Sequence, residues 1–184
     1  MIISLEEAKR ILKIDNDSED EDIKDDLDAL EIMIRNKTNN NFQDRKIRVR
    51  GNFLFENNKI MGIDFLSYGF RKDNTIEIND SLLNNGLYTV INVDANSISV
   101  DKQLEYEQSL QTMITKVLYP LDIKRGFKKL LKYDNKMADK IGIKSETIAR
   151  VSTTYFDMGN NESVEGYPAA LLKFLDKYKK LRWS

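Results

Sequence analysis

A block of alternating residues in the middle of the chain constrains the fold most strongly, because a period of two belongs to strands rather than helices. Between residues 45 and 100, short apolar segments are separated by asparagine, aspartate and glycine residues that are typical of turns. The predicted strands are residues 53–55, 60–66, 75–78, 87–93 and 97–100, and the predicted turns include residues 57–58 and 94–96. These short strands predict a small antiparallel barrel or a bent sheet.

The residues before this block follow helical periodicity. Ser4 and Glu7 form a capping-box pattern at the start of a short helix that ends near residue 13. After an acidic turn, Ser18 and Glu21 are predicted to cap a second helix, which ends near residue 38 because a run of asparagines follows. Two helices are therefore expected before residue 42.

The residues after the block are also predicted to be mainly helical. A stripe of apolar side chains predicts a helix over residues 103–118, which Tyr119 and Pro120 interrupt. The next helix begins at Pro120 and should bury Ile123, Phe127, Leu130 and Leu131. Residues 142–157 are predicted to be extended, and a last helix is predicted to open at residues 167–168.

Together these patterns predict an α+β protein: a helical bundle built from both ends of the chain, with an inserted small antiparallel β barrel or sheet. The predicted domains are residues 1–42 with 103–184 for the bundle and residues 43–102 for the β subdomain. The chain has 184 residues, which is enough for one domain with an inserted subdomain.

The chain contains no cysteine and no histidine. Disulfide and thiolate chemistry, the Ser-His triad and the commonest transition-metal ligand are therefore excluded. No other catalytic, cofactor-binding or metal-binding constellation is recognisable, so we expect no enzymatic activity, cofactor or metal. The N-terminus does not have the pattern of a signal peptide and no apolar run is long enough to span a bilayer, so we expect a protein made in a cytoplasm, without membrane contact.

Charge is unevenly distributed along the chain. Residues 1–31 contain twelve acidic and four basic residues, a net charge of −8, whereas residues 124–150 contain nine basic and three acidic residues, a net charge of +6. The opposite charges either pair or are solvated within one subunit, or they join two subunits in a contact that generates rings or filaments. The residues assigned to this complementarity are Asp20, Asp22, Asp25, Lys124, Lys128 and Lys132.

Two other features suggest binding surfaces. The basic run of residues 45–50 is interpreted as an edge strand in preference to an oligonucleotide-binding strand, because no aromatic residues for base stacking lie between its arginines. Together with the basic helix, it defines the alternative hypothesis of a nucleic-acid-binding module. The residues assigned to a partner interface are Arg150, Tyr155, Phe156, Tyr167, Tyr178, Arg182 and Trp183.

Several segments resemble the head–tail connector (adaptor) proteins of long-tailed bacteriophages. They are Asp-Ile-Lys-Arg-Gly at 122–126, Lys-Tyr-Asp at 132–134, Ser-Glu-Thr-Ile-Ala-Arg at 145–150, Thr-Tyr at 154–155, Gly-Tyr-Pro at 166–168 and the ending 175–183. The N-terminal Ser-Leu-Glu-Glu-Ala-Lys, followed by an acidic turn and a long helix, is also similar to this family. The β block departs from its all-helical members and resembles small β modules of other virion proteins.

This resemblance implies a structural virion protein without enzymatic activity. Its partners would be copies of itself in a ring, dodecameric in the virion, together with the portal protein and a neck (stopper) or tail-completion protein. The ring would lie at the head–tail junction beneath the portal, extend the channel through which double-stranded DNA passes, and form a docking platform. It would be made in the bacterial host cytoplasm.

Overall fold

The computed structural model of the chain describes residues 1–137, 145–148, 151–154 and 163–181. The chain divides into two compact units. Met1 and residues 41–119 form the first, here called the β unit, and residues 2–40 and 120–184 form the second, here called the helical unit. Each unit is described by itself below.

The β unit contains a four-stranded antiparallel sheet. Its strands are β1 (Gln43–Met61), β2 (Thr75–Asn79), β3 (Gly86–Val93) and β4 (Ser97–Val117), in the spatial order β1-β4-β2-β3, and β3 also pairs with β4. The predicted strands 75–78 and 87–93 are confirmed as β2 and β3. The sheet buries an apolar cluster that includes Phe53, Phe55, Ile60, Phe65, Phe70, Ile76, Ile78, Val90, Ile98 and Ile114.

The helix predicted for residues 103–118 is wrong, because these residues belong to the long strand β4. Phe53 pairs with Ser109 and Gly51 pairs with Thr112, so β4 carries one more residue than β1 between these two pairs. This β-bulge, with Gln111 at a φ of 66°, shifts the strand by one residue. Of the apolar residues that suggested a helix, Ile114 and Val117 are buried, whereas Leu110 and Leu118 are exposed, so the apolar spacing does not follow the buried face of β4.

Strand β1 is also longer than predicted. The turn expected at residues 57–58 is wrong, since Asn57 lies within β1 with a φ of 55° beside two shifts in register against β4. The predicted strand 60–66 is correct only up to Met61, where β1 ends. Asparagine tolerates a positive φ better than most residues, so it can bend a strand without ending it.

The helical unit contains α1 (Leu5–Leu12), α2 (Asp20–Thr38), α3 (Leu121–Met137) and the short α4 (Ala169–Leu172), which continues as a 3-10 helix (Lys173–Tyr178). It also contains two small antiparallel pairs, β5 (Ser145–Ile148) with β6 (Val151–Thr154) and β7 (Ser163–Val164) with β8 (Tyr167–Pro168). The extended structure predicted around residues 142–157 is confirmed for β5 and β6.

The predicted helix starts are partly correct. Ser4 caps α1, since its hydroxyl oxygen accepts a hydrogen bond from the Glu7 amide at 3.2 Å. Ser18 does not cap α2, because its amide and hydroxyl both donate to Asn16 Oδ1 and the residue before the helix is Glu19. Asn16 thus closes a local turn that competes with the predicted cap. The four apolar residues predicted to face inward on α3 are all buried.

The predicted fold class is wrong in its proportions. The described chain is α+β, with four α-helices and a four-stranded antiparallel open sheet, rather than a helical bundle with an inserted barrel. The sheet includes residues 103–117, which were assigned to the bundle, and the β unit supplies most of the largest fully buried side chains. The physical reason is the length of β1 and β4, whose pairing extends the sheet well beyond a small insertion.

Candidate assembly interface

A groove with an apolar floor and an acidic rim lies in the helical unit, between the α1–α2 connection, α2 and α3. Its volume is about 490 Å³. The floor includes Leu12, Ile14, Ile23, Leu30, Met33 and Leu131, and the rim includes Glu19, Asp22, Asp26 and Asp134. We call it the α2–α3 groove. Asp22, Asp26, Ala29 and Met33 recur at the spacing of one helix face, which is why α2 presents them together.

Two carboxylates of this groove, Asp26 and Asp134, lie in surroundings that disfavour their charge. Burial, followed by repulsion from Asp22 and Asp25, raises the pKa of Asp26. Burial also raises the pKa of Asp134, to which Asp26 adds repulsion, while a hydrogen bond from Tyr167 acts in the opposite direction. A cationic group placed in the groove would relieve this repulsion.

Tyr167 borders the groove and is held by α3. Its hydroxyl donates a hydrogen bond to Asp134 Oδ2 at 2.6 Å, and its ring lies 5.7 Å from the ring of Tyr133. Burial and the neighbouring Asp134 carboxylate raise the pKa of Tyr167 well above its ordinary value. The residue was assigned to a partner interface, and the structure gives its hydroxyl an intrachain role.

Tyr178 is likewise held within the subunit. Its hydroxyl donates to Asp122 Oδ1 at 2.5 Å, and Asp122 also forms an ion pair with Lys177. These two contacts, the ion pair first, hold the pKa of Asp122 below its ordinary value. From the sequence, Asp122 was interpreted as a residue that begins α3 together with Pro120. Its contacts with Lys177 and Tyr178, which lie more than fifty residues away, were not predicted.

The end of α2 binds the C-terminal segment through its asparagines. The Asn40 side-chain amide donates to the carbonyl of Tyr178 at 3.2 Å, and that of Asn39 donates to the carbonyl of Leu181 at 3.4 Å. The Lys180 amide donates to the Thr38 carbonyl at 2.8 Å. The asparagine run, interpreted from the sequence only as a helix stop, therefore also anchors residues 178–181.

A basic helix face lies on α3, on the side away from its buried residues. It consists of the exposed side chains Arg125, Lys129, Lys132 and Lys136, and we call it the α3 basic face. Leu121 continues the same face and is 85% exposed. In the described part of the chain, none of the four cations forms an ion pair. Among the described residues, the positive charge of this face is therefore not compensated.

The predicted charge complementarity is not formed inside the subunit by the residues assigned to it. Asp20 pairs with Lys9 at 2.7 Å, and Lys128 pairs with Glu7 at 2.5 Å. Among the described residues, no ion pair joins Asp20, Asp22 or Asp25 to Lys124, Lys128 or Lys132. Helix α1 thus mediates the intrachain pairs, and pairing between subunits stays a prediction. The other residues assigned to a partner interface, Arg150, Tyr155, Phe156, Arg182 and Trp183, lie outside the described residues.

The basic run of the β unit lies on an edge strand, as predicted. Arg45, Lys46, Arg48 and Arg50 are exposed on β1, which stands at the end of the strand order. Arg50 forms an exposed ion pair with Asp80 at 2.7 Å. Charged side chains on an edge oppose pairing with another sheet, so the strand does not need a ligand to explain its composition.

A buried carboxylate in the β unit was missed by the sequence analysis. Glu107 is 6% exposed and accepts hydrogen bonds from the Ser81 hydroxyl at 2.5 Å, the Leu82 and Leu83 amides at 3.0 and 3.1 Å, and the Asn84 side-chain amide at 2.9 Å. Burial alone would raise the pKa of Glu107, but these hydrogen bonds together lower it. All four donors lie more than twenty residues away, so no local pattern signals the contact.

Neither a membrane-spanning helix nor a metal-ligand cluster is found among the described residues. No helix there is both long enough and apolar enough to cross a bilayer. In the same residues, no group of three or more potential ligand side chains is placed to hold a metal ion. Comparison with known proteins adds no relative: no protein-family model matches the chain, and no curated protein matches it.

Proposed function

We propose that the protein is a structural virion subunit, a head–tail connector that forms a ring beneath the portal of a long-tailed bacteriophage. The ring would extend the DNA channel and provide the docking platform for neck (stopper) or tail-completion proteins. The proposed role requires surfaces rather than a reaction, so we propose neither enzymatic activity nor a cofactor. The resemblance of the two ends of the chain to the connector family supports this role.

One observation carries the proposal: the helical unit keeps an acidic groove and a basic helix face apart on different sides. Asp26 and Asp134 have raised pKa values, and no cation within the described chain neutralises them. A subunit with complementary charge on two different surfaces can bind its copies head to tail, and such contacts close into rings when the rotation permits. Electrostatic complementarity also accelerates assembly.

The experiment is co-assembly of the full chain with the cognate portal protein, followed by native mass spectrometry and cryo-electron microscopy. We expect a ring seated on the portal, whether or not the free protein is monomeric. Failure of the folded protein to assemble with its portal would contradict the proposal.

A truncation tests the contribution of the C-terminus to docking. Removing Arg182, Trp183 and Ser184 leaves the contacts of residues 178–181 with α2 in place. We expect the truncated protein to melt at the same temperature as the full chain and to lose portal docking. Normal docking would remove these three residues from the interface.

A nucleic-acid-binding module is the second candidate, because the exposed cations of β1 and of the α3 basic face offer phosphate contacts. If several phosphates are neutralised, the logarithm of the binding constant should fall steeply and linearly with the logarithm of salt concentration. A filter-binding assay with double-stranded DNA at low salt distinguishes the candidates. No retention of DNA would exclude this candidate and leave the connector proposal standing.

A further inference from the structure

We propose that the α2–α3 groove is the docking site for the α3 basic face of a second copy of this chain. This inference rests on the proposed function and specifies the subunit contact that would close the ring. The occupant is a helix face carrying Leu121 and four cations, and the receptor is an apolar floor bordered by four carboxylates.

The first argument is charge. The groove rim supplies Glu19, Asp22, Asp26 and Asp134, and the occupying helix supplies Arg125, Lys129, Lys132 and Lys136. Both sets remain without an ion pair in the described part of the subunit. Repulsion within the rim favours a cationic occupant over a neutral or acidic one.

The second argument is spacing. Asp22, Asp26, Ala29 and Met33 stand at i, i+4, i+7 and i+11 along α2, and the four cations of the α3 basic face have the same spacing along α3. Each set therefore forms one straight stripe about three turns long. Two stripes of equal length can lie side by side, so each cation can face a carboxylate or the apolar part of the groove.

The third argument is the exposure of Leu121. This leucine lies one turn before Arg125 on the same helix face and is 85% exposed. Burial of a large exposed apolar side chain in an apolar pocket stabilises a contact, because apolar surface is removed from water. The groove floor, lined by residues such as Leu12, Ile14 and Met33, is a matching receptor.

The geometry makes the contact head to tail. On α3, the groove residues Leu131, Asp134 and Asn135 face a different direction from the basic face. A subunit can therefore present its groove to one neighbour and its basic face to another. Such a heterologous contact generates a ring when the rotation between neighbours closes, and an open filament when it does not.

Charge reversal tests the contact. The groove variant carries Asp22→Lys and Asp26→Lys, and the face variant carries Lys129→Glu and Lys132→Glu. Each variant alone should lose self-association by about 100-fold or more, because like charges then meet at the interface. Association is measured by native mass spectrometry and sedimentation at low salt, both free in solution and on the portal.

An equimolar mixture of the groove variant and the face variant is the decisive experiment. Every groove–face contact in an alternating ring is then complementary, so the mixture should recover rings with equal numbers of both variants. A chain carrying all four substitutions should also recover self-association. Melting curves of each variant verify that the fold survives.

The matched control is Glu21→Lys with Asp25→Lys, which makes the same charge change at the same spacing on α2 outside the groove lining. It should leave association nearly unchanged. Rings that persist in the groove variant, or a mixture that fails to recover, would overturn this inference while leaving the connector proposal intact. Loss of portal binding with intact rings would assign the groove to the portal instead. A wild-type chain that forms no ring, free or on its portal, would overturn both.

Discussion

Buried or crowded carboxylates in the two units show opposite behaviour. In the β unit, Glu107 is surrounded by four donors, and the net effect is a lowered pKa. In the helical unit, burial raises the pKa values of Asp26 and Asp134, and repulsion from nearby carboxylates adds to the rise. The ionised Glu107 side chain therefore stabilises the fold, whereas ionised Asp26 and Asp134 side chains lower its stability.

The difference separates a structural charge from a candidate functional one. A carboxylate with a lowered pKa contributes stability above its unfolded pKa, and this stability is lost as the pH falls. A carboxylate with a raised pKa has the opposite effect, because the folded protein is destabilised as the pH rises and the group ionises. Charged groups that lower the stability of the fold are candidates for contacts with a partner.

The largest expected effect comes from Glu107→Gln. The amide replaces one of the two acceptor oxygens with an NH₂ donor that faces the existing donors, so we expect a loss of about 3 kcal/mol in the free energy of unfolding at pH 7. The difference from wild type should shrink as the pH falls below 4.5, where the wild-type carboxylate loses its own stabilising effect. Urea denaturation at several pH values measures both the loss at pH 7 and its decrease at low pH.

The exposed neighbour Glu105 provides a matched control in the form of Glu105→Gln. Its side chain is exposed on the same strand, so its neutralisation should change stability by less than about 0.5 kcal/mol. Equal effects of the two substitutions would contradict a structural role for the buried carboxylate.

Gly126→Ala tests whether apolar packing, rather than charge, stabilises the helical unit. A Cβ at Gly126 would overlap the ring of Phe174. Alanine normally favours a helix over glycine, but this overlap should reverse the sign and lower stability by about 2 kcal/mol. Adding Phe174→Leu to the same chain should recover most of the loss, as measured by urea denaturation. A stabilised single variant would show that the C-terminal segment moves away without cost.

Tyr167→Phe removes the only described hydrogen bond between this hydroxyl and Asp134 while keeping the aromatic ring. We expect a loss of about 1 kcal/mol in unfolding free energy. The pKa of Asp134 should rise further, because the hydrogen bond that lowers it is gone. NMR titration of the carboxyl carbon measures the shift. The exposed Tyr106→Phe should change neither quantity, and an unchanged Asp134 titration in Tyr167→Phe would contradict the assignment.

The smallest effect has the opposite sign. Asp26→Asn removes repulsion with Asp22 at i,i+4, so we expect a gain of about 0.3 kcal/mol at pH 7. The gain should vanish below pH 3.8, where the wild-type carboxyl is protonated as well. Glu21→Gln near the helix N-terminus should give no gain, because acidic residues are favourable there. If Asp26→Asn lowers the free energy of unfolding, the Asp26 charge stabilises the fold as the Glu107 charge does, and the difference between the two units is wrong.

The candidate interface was only partly predictable from the sequence. Counting charges located an acidic N-terminal part and a basic α3. The count could not show that Asp20 pairs with Lys9 and Lys128 with Glu7, or that Asp22 and Asp26 lie together on a groove. Pairing depends on which helix packs against which, and no single segment contains that information.

The sequence by itself determined the features that depend on a few neighbouring residues. The Ser4 cap, the end of α2 at the asparagines, the buried stripe of α3 and strands β2 and β3 all follow from local spacing. Each depends on interactions within one or two turns, or on alternation along one strand.

Only the tertiary structure decided whether residues 103–117 form a helix or a strand. Their apolar spacing suits a helix, but pairing with β1 on one side and β2 on the other favours β4, and a bulge near Gln111 accommodates the irregular spacing. The same long-range packing brings Glu107 to its four donors and Tyr167 to Asp134. Contacts between distant residues stabilise these arrangements, and therefore tertiary structure overrides the local preference.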